Sequence, residues 1–189
     1  MDIEYREQNY HIRTVIEEDK ENFMSIRRQT SDLSHAYDTI PGFLDQAWGF
    51  VLNGYDEVSM VAFRNGCFVA ICTFHDFQGD HVQIGYDVAR QLRGQGIGTE
   101  LAGHLINAAH RVFPDKEVLI RVRKDNVASY RVAEKNGSVI IGFESTPEGR
   151  LAAELLQKYE RKGETGEEVD AVRKRADEGM QGIAVFKMP

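Results

Sequence analysis

The sequence has few cysteines and no long apolar segment. Its only two cysteines, Cys67 and Cys72, lie in one predicted strand. Their odd spacing puts the side chains on opposite faces, so we expect two free thiols, as is typical of a reducing compartment. The sequence contains no apolar run near the roughly 18 residues of a membrane span and no signal-peptide pattern at its start. We therefore expect a cytoplasmic protein with no membrane partner.

Positive charge is also scarce. The chain has 23 Lys and Arg against 30 Asp and Glu, for a net charge of −7. A nucleic-acid-binding face needs clustered basic side chains, so we expect no nucleic-acid partner. The 6 histidines show no metal-ligand spacing, and we expect no metal. The length of 189 residues and the apolar content of 42% fit one soluble domain over residues 1–189.

Three glycines at alternate positions form the most informative segment of the chain. Gly94, Gly96 and Gly98 lie between a predicted strand, 81–88, and a predicted helix, 99–112. Glycine allows a tight turn and lets backbone N–H groups approach a ligand closely. The first N–H groups of a helix lack internal partners, and the helix dipole favours an anion there. The segment therefore predicts a cradle for a phosphate or pyrophosphate.

Spacing separates the possible phosphate loops. A Walker A loop needs Gly-Lys-Ser/Thr, but Gly98 is followed by Thr99 and Glu100. A Rossmann fingerprint needs its third glycine where Thr99 stands. Both nucleotide readings are therefore disfavoured, and a glycine-rich turn without a ligand stays open.

Two blocks of sequence resemble motifs of the GNAT superfamily of N-acetyltransferases. Gln91, Gly94 and Gly96 match its motif A, Gln/Arg-x-x-Gly-x-Gly/Ala, after a strand that ends in Val88. The segment 125–137, Asp-Asn-Val-Ala-Ser-Tyr-Arg-Val-Ala-Glu-Lys-Asn-Gly, is similar to motif B. The resemblance is specific over about residues 81–144, and each block lies at a strand-to-helix junction.

The resemblance implies acetyl-coenzyme A as the acyl donor. It places the pyrophosphate on the loop and the thioester carbonyl at a backbone N–H near Val88, while Asn126 and Ser129 match positions that contact the coenzyme. An N-cap at the helix start is the alternative role for Asn126. The donor-binding residues implied in this way are Val88, Gln91, Arg93, Gly94, Gln95, Gly96, Ile97, Gly98, Thr99, Asn126 and Ser129.

The catalytic acid and base of the family are missing from their usual positions. Ala133 stands where many relatives have a tyrosine that protonates the thiolate, and Gln83 stands where a related branch has a glutamate base. Tyr130 is the candidate acid, with packing as its alternative role. The candidate bases near the cleft, each of which could instead simply face water, are His75, Asp76, His81 and Asp87.

The segment after the first helix is expected to help build the acceptor pocket. Its aromatic side chains are candidate lining residues or core, and its carboxylates are candidate contacts for a cationic acceptor or solvated surface. They are Phe43, Trp48 and Tyr55, and Asp32, Asp38 and Asp45.

The order of predicted elements indicates an α/β fold with a mixed sheet of about seven strands. An antiparallel meander precedes β-α-β-α-β, and residues 147–179 form an inserted, charged helical hairpin before the last strand. This hairpin is a surface elaboration, a substrate lid or a subunit contact in a possible homodimer. The expected activity is acetyl transfer to a primary amine of a small molecule or peptide. The alternatives are a non-catalytic acyl-coenzyme A sensor and a nucleotide-binding or interaction module.

Overall fold

The computed structural model describes residues 1–31, 33–54 and 56–189. Contacts divide them into two compact units, Met1–Leu119 with Pro189, and Ile120–Met188. Within these ranges the chain forms eight strands and seven α-helices. None of the described helices combines the length and apolar character needed to cross a membrane.

The first unit is built on a mixed sheet in the order β1-β2-β3-β4-β5-β6. Neighbouring strands from β1 to β5 are antiparallel, and β5 runs parallel to the first three residues of β6. The turn between β3 and β4 is the predicted hairpin, with φ of 51° at Asn65 and 77° at Gly66. The strands are β1 (Glu4–Glu7), β2 (Tyr10–Thr14), β3 (Glu57–Arg64), β4 (Cys67–His75), β5 (His81–Val88) and β6 (Glu117–Arg123).

Four helices complete the first unit: α1 (Lys20–Thr30), α2 (Ser34–Thr39), α3 (Phe43–Asn53) and α4 (Ile97–Val112). Phe23 and Ile26 of α1 pack with Trp48 of α3 and with Ile71 of β4 in one buried cluster. Burial of these large apolar side chains holds α1 against one face of the sheet. That contact fixes the helix beside the site described below.

The second unit contains the rest of β6, the strands β7 (Val139–Glu144) and β8 (Ile183–Lys187), and three helices. β8 lies between β6 and β7, and it pairs with β7 in the antiparallel sense. The helices are α5 (Val127–Lys135), α6 (Pro147–Lys162) and α7 (Glu167–Met180). Ala152 of α6 packs with Val172 and Ala176 of α7, so the charged hairpin has a small apolar core of its own.

The predicted fold class is confirmed, with differences in detail. A strand at Glu4–Glu7 brings the number of described strands to eight, because the chain reverses at Gln8 and pairs β1 with β2. The short helix α2 was not predicted. The predicted helix 99–112 begins two residues earlier, at Ile97.

Candidate active site

The glycine loop joins β5 to α4 through a backbone that needs glycine. Gly94 has a φ of 77°, and Gly96, the N-cap of α4, has a φ of 81°. These left-handed conformations cost other L-residues about 1–2 kcal/mol. A Cβ built on either glycine would meet no protein atom within 4 Å. The space over the loop is therefore open.

The amide N–H groups of this loop are the clearest sign of a binding function. The Arg93 N–H donates to the Arg90 carbonyl at 3.3 Å, and the Thr99 N–H donates to the Gly96 carbonyl at 3.0 Å. Between them, the described residues supply no acceptor for the five consecutive N–H groups from Gly94 to Gly98. These donors lie at the positive end of a 16-residue helix, an arrangement that favours an anion.

Two side-chain bonds shape the loop. Arg93 Nε donates to the Val88 carbonyl at 3.0 Å and so ties the loop to the end of β5. This bond uses Nε only, which leaves the Nη groups of Arg93 as further donors. Gln95 Nε2 donates to the Gln91 carbonyl at 3.2 Å across a turn of 3-10 helix.

The second half of β5 presents backbone groups on the side away from β4. The ladder between β4 and β5 continues to Val88. The Ala89 N–H donates to the Val69 carbonyl at 3.0 Å. Backbone directions alternate in an antiparallel ladder, so the N–H groups of Val88 and Tyr86 point away from β4.

A pocket of about 210 Å³ lies on the α1 face of β4 and β5. Its lining comes from four elements of the first unit and includes two of the four candidate bases, His75 and Asp87. The lining residues are Arg27, Glu57, Ile71, Cys72, Thr73, His75, Gly85, Tyr86 and Asp87.

His75 and Asp76 form an ordered pair at the end of β4. His75 Nδ1 lies 3.4 Å from Asp76 Oδ2. On the other side of the ring, His75 Nε2 lies 3.8 Å from the position of a Cβ built on Gly85. The imidazole therefore places one nitrogen over the pocket and the other beside a carboxylate that orients the ring.

The pocket also contains two carboxylates and one guanidinium. Arg27 Nη2 lies 3.8 Å from Glu57 Oε1, so these two charges form a loose pair. Asp87 Oδ2 accepts a hydrogen bond from the Thr30 hydroxyl at 3.3 Å. His81, the remaining candidate base, lies at the far end of β5 and does not line this pocket.

The two cysteines have different environments, although both are free. Cys67 is exposed, whereas Cys72 is buried opposite Tyr86. Burial raises the pKa of the Cys72 thiol far above its usual range, and the charge of Asp87 raises that pKa further. Cys72 therefore stays protonated near neutral pH and is a poor nucleophile.

This difference predicts selective alkylation. Because a raised pKa removes thiolate, iodoacetamide at pH 8 should modify Cys67 in the native protein and leave Cys72 intact. Peptide mass spectrometry measures both sites, and the urea-unfolded chain is the control in which both should react. Equal rates at the two cysteines of the native protein would contradict this account of Cys72.

The second unit contains the remaining candidates. The Asn126 side chain accepts from the Ser129 N–H at 3.1 Å, so Asn126 is an N-cap of α5. The Tyr130 ring packs edge-on against Phe186, with centroids 4.9 Å apart and planes at 81°. Tyr130 therefore has a packing role, the alternative to its candidate role as an acid. Asn126 has its alternative role as an N-cap, and its contact with the coenzyme stays a prediction.

Several expected acceptor contacts are engaged elsewhere in the fold. Trp48 lies in the core with 3% of its surface exposed. Asp45 pairs with Lys20 at 2.8 Å, and Asp38 pairs with Arg28 at 3.2 Å. The Phe43 ring contacts Tyr37 at 5.5 Å between centroids. Asp32 and Tyr55 lie outside the described residues.

Three neighbours of the site, Arg27, Glu57 and Thr73, were not predicted from the sequence. One signal was available, because an isolated glycine inside a strand often marks a close approach of other groups. Gly85 is such a glycine, and a Cβ there would lie 2.6 Å from Thr73 Oγ1.

Across the described ranges, no group of three or more His, Cys, Asp or Glu side chains is arranged to hold a metal ion.

Comparison with known proteins gives one family and many similar folds. A family model described as an acetyltransferase (GNAT) domain matches residues 9–139. No curated protein matches the sequence significantly. A ribosomal-protein-S5-alanine acetyltransferase from Vibrio fischeri has a TM-score of 0.61 at 14% identity, covering 100% of this chain and 96% of that chain.

Two further solved structures resemble the chain. A mutant of the spermidine N-acetyltransferase SpeG from Vibrio cholerae has a TM-score of 0.66 at 10% identity, covering 95% of this chain and 93% of that chain. A ribosomal L7/L12 alpha-N-protein acetyltransferase in complex with coenzyme A has a TM-score of 0.62 at 18% identity, covering 78% and 89% of the two chains. At these identities the likeness shows the fold.

Proposed function

Since the chain belongs to the GNAT acetyltransferase family, we propose that it transfers an acetyl group from acetyl-coenzyme A to a primary amine. The main support for acetyl-coenzyme A as the acetyl donor is the row of five N–H groups from Gly94 to Gly98. These groups have no acceptor in the described residues. A row of amide donors at a helix N-terminus matches the charge and shape of a pyrophosphate.

On the donor side, the pyrophosphate lies on the loop, over the open space at Gly94 and Gly96. The Nη groups of Arg93 add positive charge to this site. The N–H of Val88, which points away from β4, donates to the thioester carbonyl as negative charge develops on its oxygen. Asn126 and Ser129, in the second unit, remain donor-binding residues on the strength of motif B alone.

On the acceptor side, His75 acts as the general base. The amine nitrogen attacks the thioester carbonyl carbon beside Val88. The proton that the nitrogen loses reaches His75 Nε2 through a water relay, because Gly85, under this imidazole, lies about 10 Å along β5 from Val88. The C–S bond then breaks, and the coenzyme leaves as a thiolate that is protonated to the thiol. Asp76 holds the imidazole in place through Nδ1, which lies 3.4 Å from its Oδ2. Tyr130, the acid predicted from the sequence, is the candidate donor of this proton, and solvent water is the alternative donor.

The choice of amine panel follows from the chemistry of similar folds. Their names include acetyltransferases of ribosomal proteins and of spermidine. The panel therefore contains peptide N-termini and polyamines, and aminoglycosides and amino acids extend it to other primary amines. A cytoplasmic location, the absence of a metal requirement and a possible homodimer stay predictions of the sequence.

A pair of measurements tests the function. Titration calorimetry should show binding of acetyl-coenzyme A with a Kd of about 1 μM, which is about 8 kcal/mol. Thiol release should then depend on one or more amines of the panel. No heat at millimolar acetyl-coenzyme A or coenzyme A would overturn the donor assignment. Binding without thiol release from any amine would instead support the non-catalytic sensor.

A further inference from the structure

We propose that Arg64 sets the affinity for coenzyme A by neutralising the carboxylate of Glu100 beside the glycine loop. Arg64 is thus a positioning residue, which acts on the ligand through another side chain. The inference rests on the proposed binding of acetyl-coenzyme A, because it assigns the charge balance of that same donor site.

Glu100 lies close to the anion site that we assign to the pyrophosphate. It is the acidic residue in the first turn of α4, and its N–H donates to the Gly96 carbonyl at 3.2 Å. It follows Gly98 by about 3 Å along the helix axis, and helical side chains lean toward the N-terminus of their helix. A carboxylate stabilises this end of an empty helix, but it repels an anion that binds there.

Two donors from the sheet meet the Glu100 carboxylate. Arg64 Nη2 lies 3.0 Å from Glu100 Oε2, and the Tyr10 hydroxyl donates to the same oxygen at 3.1 Å. Tyr10 and Arg64 are paired across β2 and β3, so the strand register presents both groups to one carboxylate. Burial and the hydrogen bond to Glu100 raise the pKa of Tyr10 above its usual range, so this hydroxyl stays protonated and neutral. Arg64 therefore supplies the charge that balances Glu100.

The expected effect is moderate because water reaches this ion pair. The side chains of Arg64 and Glu100 are 32% and 43% exposed, and solvent weakens the interaction of such charges. With a dielectric near that of water, a bare carboxylate about 8 Å from the two charges of a pyrophosphate lowers affinity about five-fold. Loss of the Arg64 charge should therefore weaken binding by about this factor, whereas loss of the Glu100 charge should strengthen it.

Calorimetric titration with coenzyme A tests these opposite signs. At about 20 mM salt, Arg64→Met should raise the Kd about five-fold, and Glu100→Gln should lower it by a similar factor. Glutamine keeps an acceptor for the Tyr10 hydroxyl and leaves the Arg64 charge in excess. The double variant, Arg64→Met with Glu100→Gln, should return to the wild-type Kd, whereas a purely structural role would weaken binding in all three variants.

Charge and salt provide two further readouts on the same residues. Arg64→Lys keeps the positive charge and should bind coenzyme A with the wild-type Kd. The differences between the variants should shrink at about 0.5 M salt, because salt screens the interaction between Glu100 and the pyrophosphate.

The opposite end of α4 offers a matched control. Arg111 lies 3.1 Å from Glu7, which also accepts a hydrogen bond from the Tyr5 hydroxyl, so the same three residue types meet there. Arg111 is about 16 Å further along the helix than Glu100, where a charge changes the affinity for the ligand less than about two-fold. Arg111→Met should therefore leave the Kd for coenzyme A close to that of the wild type.

The outcomes separate this inference from the proposed function. The role of Arg64 is overturned if Glu100→Gln weakens binding, if the double variant does not recover, or if Arg111→Met weakens binding as much as Arg64→Met. No binding of coenzyme A to the wild-type protein at millimolar concentration would instead overturn the proposed donor, and this inference with it.

Discussion

Gly96→Val is expected to abolish binding of acetyl-coenzyme A. A Cβ at Gly96 meets no protein atom within 4 Å, so the added side chain fills the space that we assign to the pyrophosphate. We expect affinity to fall at least about a thousand-fold, which is about 4 kcal/mol. Calorimetry measures this loss directly.

Two further variants separate exclusion of the ligand from backbone strain. Gly66 has a similar φ of 77° and equally open surroundings, so Gly66→Val reports the effect of strain alone on the melting temperature and on binding. Strain of this kind costs about 1–2 kcal/mol, less than the expected loss. Asn tolerates the left-handed region, so Gly96→Asn should still weaken binding. Wild-type affinity in Gly96→Asn and Gly96→Val would reject the pyrophosphate placement.

His75→Gln is expected to lower kcat by about 10²- to 10⁴-fold, the usual contribution of a general base. Glutamine approximates the size of the imidazole but cannot take the proton. In the wild type, kcat should fall as the pH is lowered, because a protonated imidazole cannot accept a proton. The variant should not show this fall of kcat at low pH. Thiol-release kinetics across pH measure both effects, while calorimetry should show unchanged binding of coenzyme A.

Variants of neighbouring groups make the His75 result specific. Asp76 has a φ of 54°, which Asn also tolerates, so Asp76→Asn removes the charge without new backbone strain. Its kcat should lie between those of the wild type and His75→Gln. His81→Gln, at the other end of β5, should behave as the wild type. The reverse pattern, with His81 needed and His75 dispensable, would move the base to the start of β5.

The strands and helices near the glycine loop were predictable because their signals are local. The hairpin at Asn65 and Gly66 depends on two residues that accept a positive φ, and it forms where the sequence predicts it. The helix α2 was not predicted because Ser34–Thr39 has only 6 residues and none of them is buried, so it shows no apolar pattern. The strand β1 was missed because its residues EYRE are mostly polar, with only one buried position.

The sequence by itself determined the family and the shape of the glycine loop that we propose as the donor site. Residues 91–98 are contiguous, and their φ requirements and helix start are properties of the local chain. Only the tertiary structure formed the pocket that we propose for the acceptor. Arg27, Glu57, His75 and Asp87 come from four separate elements. The antiparallel register of β4 and β5 brings His75 over Gly85 and puts Asp87 on the same face. A shift of one residue in that register would move these side chains to the other face. The pairing depends on contacts between two strands, and no motif within either strand places His75 over Gly85.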